Sequence, residues 1–71
     1  MKYIIIDQTK TDMFTKEFDN QAEAVKVASE DFAYLTEADK KQRTDYFVIE
    51  SCDPDEESAA HFDGRVVARF I

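Results

Sequence analysis

The fold is decided by Asp45-Tyr46-Phe47-Val48-Ile49-Glu50-Ser51-Cys52. Large apolar side chains occupy both alternating faces of this stretch, with Phe47 and Ile49 on one face and Tyr46 and Val48 on the other. Because successive side chains of a strand point to opposite faces, this pattern indicates a strand that is covered on both sides. We therefore expect residues 45–52 to form a central strand of a sheet.

Three further strands are predicted around this one. Residues Lys2–Asp7 are apolar and β-branched, and Met13–Phe18 alternates, with Phe14 and Phe18 on one face. The polar residues between these two segments favour a turn, so the pair is expected to form an antiparallel hairpin. The last strand is predicted over Arg65–Ile71, where apolar residues again alternate.

A long helix is predicted over Gln21–Tyr34. Asn20 followed by Glu23 matches a capping box, in which the Asn side chain accepts a bond from an otherwise unpaired backbone N–H. Apolar residues then recur at helical spacing, which predicts one buried stripe. The expected stripe consists of Ala22, Val25, Ala28, Phe32 and Leu35.

Two shorter helices complete the prediction. Thr36 and Asp39 offer an N-cap to a short polar helix or turn over Glu37–Arg43. A helix near Pro54–Phe62 is expected because proline suits the first helical position and Gly64 can end the helix.

Together these elements predict a single α+β domain over residues 1–71, in the order β-β-α-(α)-β-α-β. The expected architecture is a small, mainly antiparallel four-stranded sheet with one long helix packed on a face. About twelve residues separate the last two strands, which is near the minimum for a parallel crossover. Both parallel and antiparallel pairing of those two strands therefore remain open.

Charge and cysteine content limit the function classes. Sixteen acidic residues against nine basic ones give a net charge of −7, which disfavours direct binding to nucleic acid or to an anionic membrane. The apolar run at the start is too short for a signal peptide or a membrane span. Cys52 is the only cysteine, which excludes an internal disulfide and agrees with a reducing compartment. A cytoplasmic protein is expected.

The acidic segment after the third strand partly matches a calcium loop. Asp53, Asp55 and Glu57 alternate as the first ligands of an EF-hand do. However, the position that needs glycine holds Ser58, and the twelfth position, which needs a bidentate glutamate, holds Gly64. Helix capping explains the same residues without an ion.

No catalytic constellation is expected either. His61 is the sole histidine, and a lone histidine beside one carboxylate falls short of the three protein ligands of a catalytic zinc site. Cys52 has no neighbouring histidine in sequence to activate its thiol. We predict a non-enzymatic protein without a cofactor or a metal.

Two charged segments are candidate contact surfaces. Seven carboxylates and no basic residue lie between Asp45 and Asp63, and such a surface can either steer a basic partner or only keep the protein solvated. The candidate interaction residues are Asp53, Asp55, Glu56, Glu57 and Asp63. The basic cluster Lys40, Lys41 and Arg43 complements a helix C-terminus, or alternatively contacts a carboxylate or phosphate of a partner.

The chain resembles short uncharacterised proteins of Gram-positive bacteria and their phages or mobile elements. The likeness is carried by Lys2-Tyr3-Ile4-Ile5-Ile6-Asp7, by Phe18-Asp19-Asn20 with Glu23-Ala24, and by Leu35-Thr36 with Asp39-Lys40-Lys41-Gln42-Arg43-Thr44. This resemblance implies no catalytic residues.

The expected function is therefore a protein-binding or accessory module that acts through a protein partner or as a homodimer. The alternative is a nucleic-acid mimic that inhibits a DNA- or RNA-binding protein. Direct binding to nucleic acid would require the basic residues to converge on one face. Those residues are Lys40, Lys41, Arg43, Arg65 and Arg69.

Overall fold

A computed structural model describes residues 2–51 and 64–71. In chain order its elements are β1 (Lys2–Thr9), β2 (Met13–Phe18), α1 (Gln21–Tyr34), α2 (Glu37–Gln42), β3 (Arg43–Ser51) and β4 (Gly64–Arg69). The helix predicted near Pro54–Phe62 lies outside the described residues.

The four strands form one sheet in the order β2-β1-β3-β4, and every neighbouring pair is antiparallel. The predicted fold class is confirmed, and the pairing of the last two strands, which the sequence left open, is antiparallel. As predicted, β3 is a central strand covered on both faces: Tyr46, Val48 and Ile49 are each 3% exposed or less. It begins at Arg43, two residues earlier than expected.

One face of the sheet packs against α1. Ala24 and Ala28 are fully buried there, and their small side chains leave room for larger ones on the sheet. The rings of Phe32, Tyr46 and Phe70 pack together with centroids 5.2 to 5.6 Å apart. Tilted and edge-on ring pairs of this kind add stability beyond the area they bury.

The buried stripe of α1 differs from the predicted one. Ala28, Phe32 and Leu35 pack in the core as expected, but Ala22 is exposed and Val25 does not join the core cluster. The buried residue one turn before Ala28 is Ala24, four positions back, instead of the predicted Val25, three positions back. Val27 also packs against this core. Both spacings fit a helix with 3.6 residues per turn, so only the position of the sheet decides between them.

The other face of the sheet is also apolar. Ile4, Ile6 and Ile49 are buried there, and Met13 and Phe47 pack against them. Met13 of β2 contributes to this cluster, whereas Phe18 packs on the helix side of the sheet and Phe14 lines a cleft with Ile5 and Tyr46 on that same side. Phe14 and Phe18 therefore share a face as predicted, but Phe14 is 63% exposed.

Both predicted N-caps are present, but of the capping box predicted for α1 only the bond to the Asn20 side chain is formed. The Asn20 side chain accepts a hydrogen bond from the Glu23 N–H at 3.1 Å. Thr36 and Asp39 form a reciprocal capping box, in which each backbone N–H donates to the other side chain, at 3.3 and 3.1 Å. These bonds fix where both helices begin, because they satisfy N–H groups that have no partner inside the helix.

β4 departs from strict alternation. Ala68 is paired with Val48, and Val66 is paired with Ile49. Val67 of β4 therefore has no paired residue on β3, which makes a β-bulge. Such a bulge turns neighbouring side chains onto one face, and both Val67 and Ala68 pack against the helix-side cluster. The pattern predicted for Arg65–Ile71 is therefore interrupted.

Gly64 is the first residue of β4, where it pairs with Ser51. The helix that Gly64 was predicted to end lies outside the described residues. Within them, Gly64 lets two backbones approach closely. A Cβ atom on residue 64 would overlap the carbonyl oxygen of Glu50 and lie 3.1 Å from its carbonyl carbon. Glycine is the one residue type that avoids this collision, since it lacks a Cβ.

We expect Gly64→Ala to lower the free energy of unfolding by about 1–3 kcal/mol, because the added methyl group forces β4 away from β3. Urea denaturation followed by far-UV circular dichroism measures this change. Ser29→Ala, on the exposed side of α1, is the control and should stay within about 0.5 kcal/mol of the wild type. An equally small effect of Gly64→Ala would contradict the proposed close approach.

Candidate functional site

The acidic surface predicted from sequence lies outside the described residues. This applies to Asp53, Asp55, Glu56, Glu57 and Asp63, and also to Cys52 and His61. Five of the sixteen acidic residues and none of the nine basic ones lie between positions 52 and 63. Most of the net charge of −7 therefore comes from that short segment of sequence.

Two other carboxylates of the predicted acidic run belong to ion pairs. Glu50 lies 3.3 Å from Arg65, and Asp45 lies 3.7 Å from Arg69. Both pairs join β3 to β4, so the acidic run is partly neutralised by the neighbouring strand. Sequence inspection missed these pairs because the partners are 15 or more residues apart along the chain.

Four of the five basic residues that were considered for nucleic-acid binding make contacts with different elements of the fold. Arg65 and Arg69 are engaged at opposite ends of the β3–β4 pair, and Arg43 is bound to Asp7 of β1. The Lys40 ammonium lies over the Phe32 ring, 5.0 Å from its centroid.

A cleft of about 440 Å³ lies between the β1–β2 turn and the end of α2. We call it the turn cleft. Its lining residues are Thr9, Lys10, Thr11, Asp12, Phe14, Lys41, Gln42 and Arg43. It combines three cationic side chains, one carboxylate and one exposed aromatic ring. This combination was not predicted from sequence, because the residues come from four different elements and the β1–β2 turn.

Hydrogen bonds within the β1–β2 turn fix one wall of the turn cleft. The Thr9 N–H donates to the Asp12 carbonyl at 2.8 Å, and the Asp12 N–H donates to the Thr9 hydroxyl at 3.0 Å. These bonds close the turn at its base, so that Lys10 is held between them. The threonine hydroxyl thus replaces a backbone acceptor, as is typical of polar turn residues.

An ion pair fixes the opposite wall. Arg43 donates from Nε and Nη2 to the two oxygens of Asp7, at 3.2 and 3.4 Å, and from Nη1 to the Asp39 carbonyl at 3.2 Å. The side chains of Arg43 and Asp7 are only 17% and 20% exposed. Since Asp7 is in β1 and Asp39 in α2, one guanidinium joins α2 to the sheet and positions Lys41 beside the cleft.

A smaller cleft of about 240 Å³ lies next to the turn cleft, between β2 and α1. Phe14 lines both clefts, and Asp7, Asp31 and Tyr46 line the smaller one. Burial raises the pKa of Tyr46 to about 12, with the nearby Asp31 and Asp7 carboxylates acting in the same direction and Arg43 against it. The Tyr46 phenol is therefore neutral at physiological pH.

A third concavity, of about 620 Å³, lies on α1 and is lined by Gln21, Ala22, Val25, Lys26 and Ser29, so that its one cationic side chain is Lys26. Within residues 2–51 and 64–71, no group of three or more His, Cys, Asp and Glu side chains is arranged to hold a metal ion. In the same ranges, no helix has the length and apolar character that crossing a membrane requires. Comparison with family models, with curated proteins and with solved structures finds no match to this chain.

The ion pair that positions the cleft wall can be measured by a double-mutant cycle. Asp7→Asn and Arg43→Gln should each lower the free energy of unfolding by about 1–3 kcal/mol, because each leaves a poorly solvated charge without its partner. The double variant should lose less than the sum of the two.

The control cycle is Glu50→Gln with Arg65→Gln, since that arginine is 76% exposed. Its coupling should fall below about 1 kcal/mol, as is usual for surface pairs. Equal coupling in the two cycles would contradict a special role for Arg43.

Proposed function

We propose that this protein is a non-enzymatic binding or accessory module that acts through a protein partner or as a homodimer. The main support is the exposure of large aromatic side chains: Phe14 is 63% exposed and Tyr34 is 84% exposed. Aromatic residues are enriched at protein interfaces, where they bury a large area at a small cost in conformational entropy.

Phe14 is stronger evidence for a binding surface than Tyr34, because of its position in the fold. It belongs to a strand whose other large apolar residues, Met13 and Phe18, pack against the two cores. Full burial of a phenylalanine side chain is worth roughly 1.5–3 kcal/mol relative to exposure. A partner that covers Phe14 would gain part of this energy, and the ring already lines a cleft that is shaped by fixed walls.

Sedimentation equilibrium and affinity pulldown from a lysate of the source organism test this function together. The full chain should either self-associate or retain the same protein in repeated experiments. Phe14→Ser with Tyr34→Ser should abolish that behaviour while leaving the circular dichroism spectrum unchanged, because both side chains are exposed. A strictly monomeric wild type that retains nothing reproducible would refute the proposal.

A second candidate function is a nucleic-acid mimic that blocks a DNA- or RNA-binding protein. It is supported by five carboxylates without a basic residue in positions 52–63, and by the resemblance to proteins of phages and mobile elements. A dense negative segment can attract a basic groove and speed association with it.

The mimic hypothesis predicts competition with nucleic acid. At low salt the wild type should displace labelled DNA from its target protein, and Asp55→Asn, Glu56→Gln and Glu57→Gln combined should reduce this at least tenfold. The matched control is Glu17→Gln, Glu30→Gln and Asp31→Asn, which removes the same number of charges from exposed positions elsewhere. Equal competition by the two triple variants would exclude a specific role for the acidic segment.

A further inference from the structure

We propose that the turn cleft binds an extended acidic segment of a partner protein, with carboxylates of that segment facing Lys10 and Lys41 and one of its apolar side chains covering Phe14. This inference rests on the proposed binding function and specifies the chemistry of the partner.

The contacts of the nine basic side chains support the choice of this cleft. Four hold a carboxylate: Lys2 with Asp19, Arg43 with Asp7, Arg65 with Glu50 and Arg69 with Asp45. Two lie over an aromatic ring: Lys16 over Phe18 and Lys40 over Phe32.

Only Lys10, Lys26 and Lys41 make neither kind of contact within the described residues. Two of these three lysines line the turn cleft, although they come from different parts of the chain. In a protein with more than enough carboxylates to pair every cation, this leaves two uncompensated ammonium groups facing one cavity.

The remaining lining residues limit the charge of the ligand. Arg43 is already neutralised by Asp7, but it keeps two of its five N–H donors for further hydrogen bonds. Asp12 also lines the cleft, and its carboxylate offsets one positive charge there. The local excess of positive charge is therefore small, and it suits a ligand with one or two carboxylates.

Long-range electrostatics favour a short protein segment over a polyanion. A nucleic acid or an anionic bilayer presents many phosphates at once and would meet the repulsion of a chain with a net charge of −7. A peptide segment with few charges senses mainly the cleft, because charges are screened beyond roughly 8 Å at physiological salt. Phe14 adds an apolar contact that a phosphate backbone does not use.

Nuclear magnetic resonance titration of the ¹⁵N-labelled full chain tests this assignment. The probe is a capped ten-residue peptide of glycine and serine that carries two glutamates and one leucine at its centre, and the comparison peptide has lysine in place of each glutamate. We expect the glutamate peptide alone to shift amides of residues 9–14 and 41–43, and the shifts to weaken as sodium chloride is raised from 50 to 500 mM.

Matched variants separate the cleft from general surface effects. Lys10→Glu and Lys41→Glu should each weaken binding of the glutamate peptide about tenfold, and Phe14→Ser about fivefold, by the usual size of electrostatic and aromatic contributions at interfaces. Lys26→Glu changes the net charge equally, and Val66→Ser removes an exposed apolar side chain that does not line the cleft. Both controls should bind within twofold of the wild type.

Several outcomes would overturn the assignment. These are an absence of shifts, shifts outside the cleft, equal weakening by Lys26→Glu, and shifts of the same amides at lower concentrations of a DNA oligonucleotide or phosphatidylserine vesicles. If the cleft variants still retain a protein partner in the pulldown, the cleft assignment fails while the binding function stands. If the wild type binds neither peptide nor protein, both fail.

Discussion

The structure depends on the burial of β3 from both sides. Tyr46 and Val48 face the helix and Ile49 faces the opposite core, and none of the three is more than 3% exposed. Hydrogen bonds to β1 on one edge and β4 on the other satisfy the backbone of the strand in this apolar setting. The position of α1, the bulge in β4 and the need for glycine at residue 64 all follow from fitting neighbours around this strand.

Ion pairs between side chains of neighbouring strands connect three of the four strands of the sheet. Arg43 reaches Asp7 of β1, while Glu50 and Asp45 hold the two arginines of β4. The first pair is mostly buried and also bonds to α2, so it determines how that short helix sits on the sheet. The two β3–β4 pairs are more exposed and contribute less stability, but they neutralise carboxylates that the sequence alone assigns to an acidic surface.

The turn cleft lies between the β1–β2 turn and the end of α2, which the Arg43–Asp7 ion pair holds against the sheet. A hydrogen-bonded turn supplies Lys10, the helix held by Arg43 supplies Lys41, and β2 supplies Phe14 at the point where α1 leaves the sheet uncovered. No one of these residues is distinctive in sequence. Their convergence gives a small site with modest positive charge in a protein whose overall charge is strongly negative, which is why we assign it a ligand with few charges.

Sequence alone determined the α+β class, the element boundaries to within a few residues, both described helix caps and the central position of β3. Those features depend on local periodicity and on hydrogen bonds between residues three or four positions apart, which a single sequence displays directly. Tertiary structure decided which face of α1 is buried, the antiparallel pairing of the last strands, the close approach at Gly64 and the partners of Asp45 and Glu50. It also determined which residues line the turn cleft. Each of these depends on contacts between distant segments, and the spacing of residues along the chain does not specify which distant segments meet.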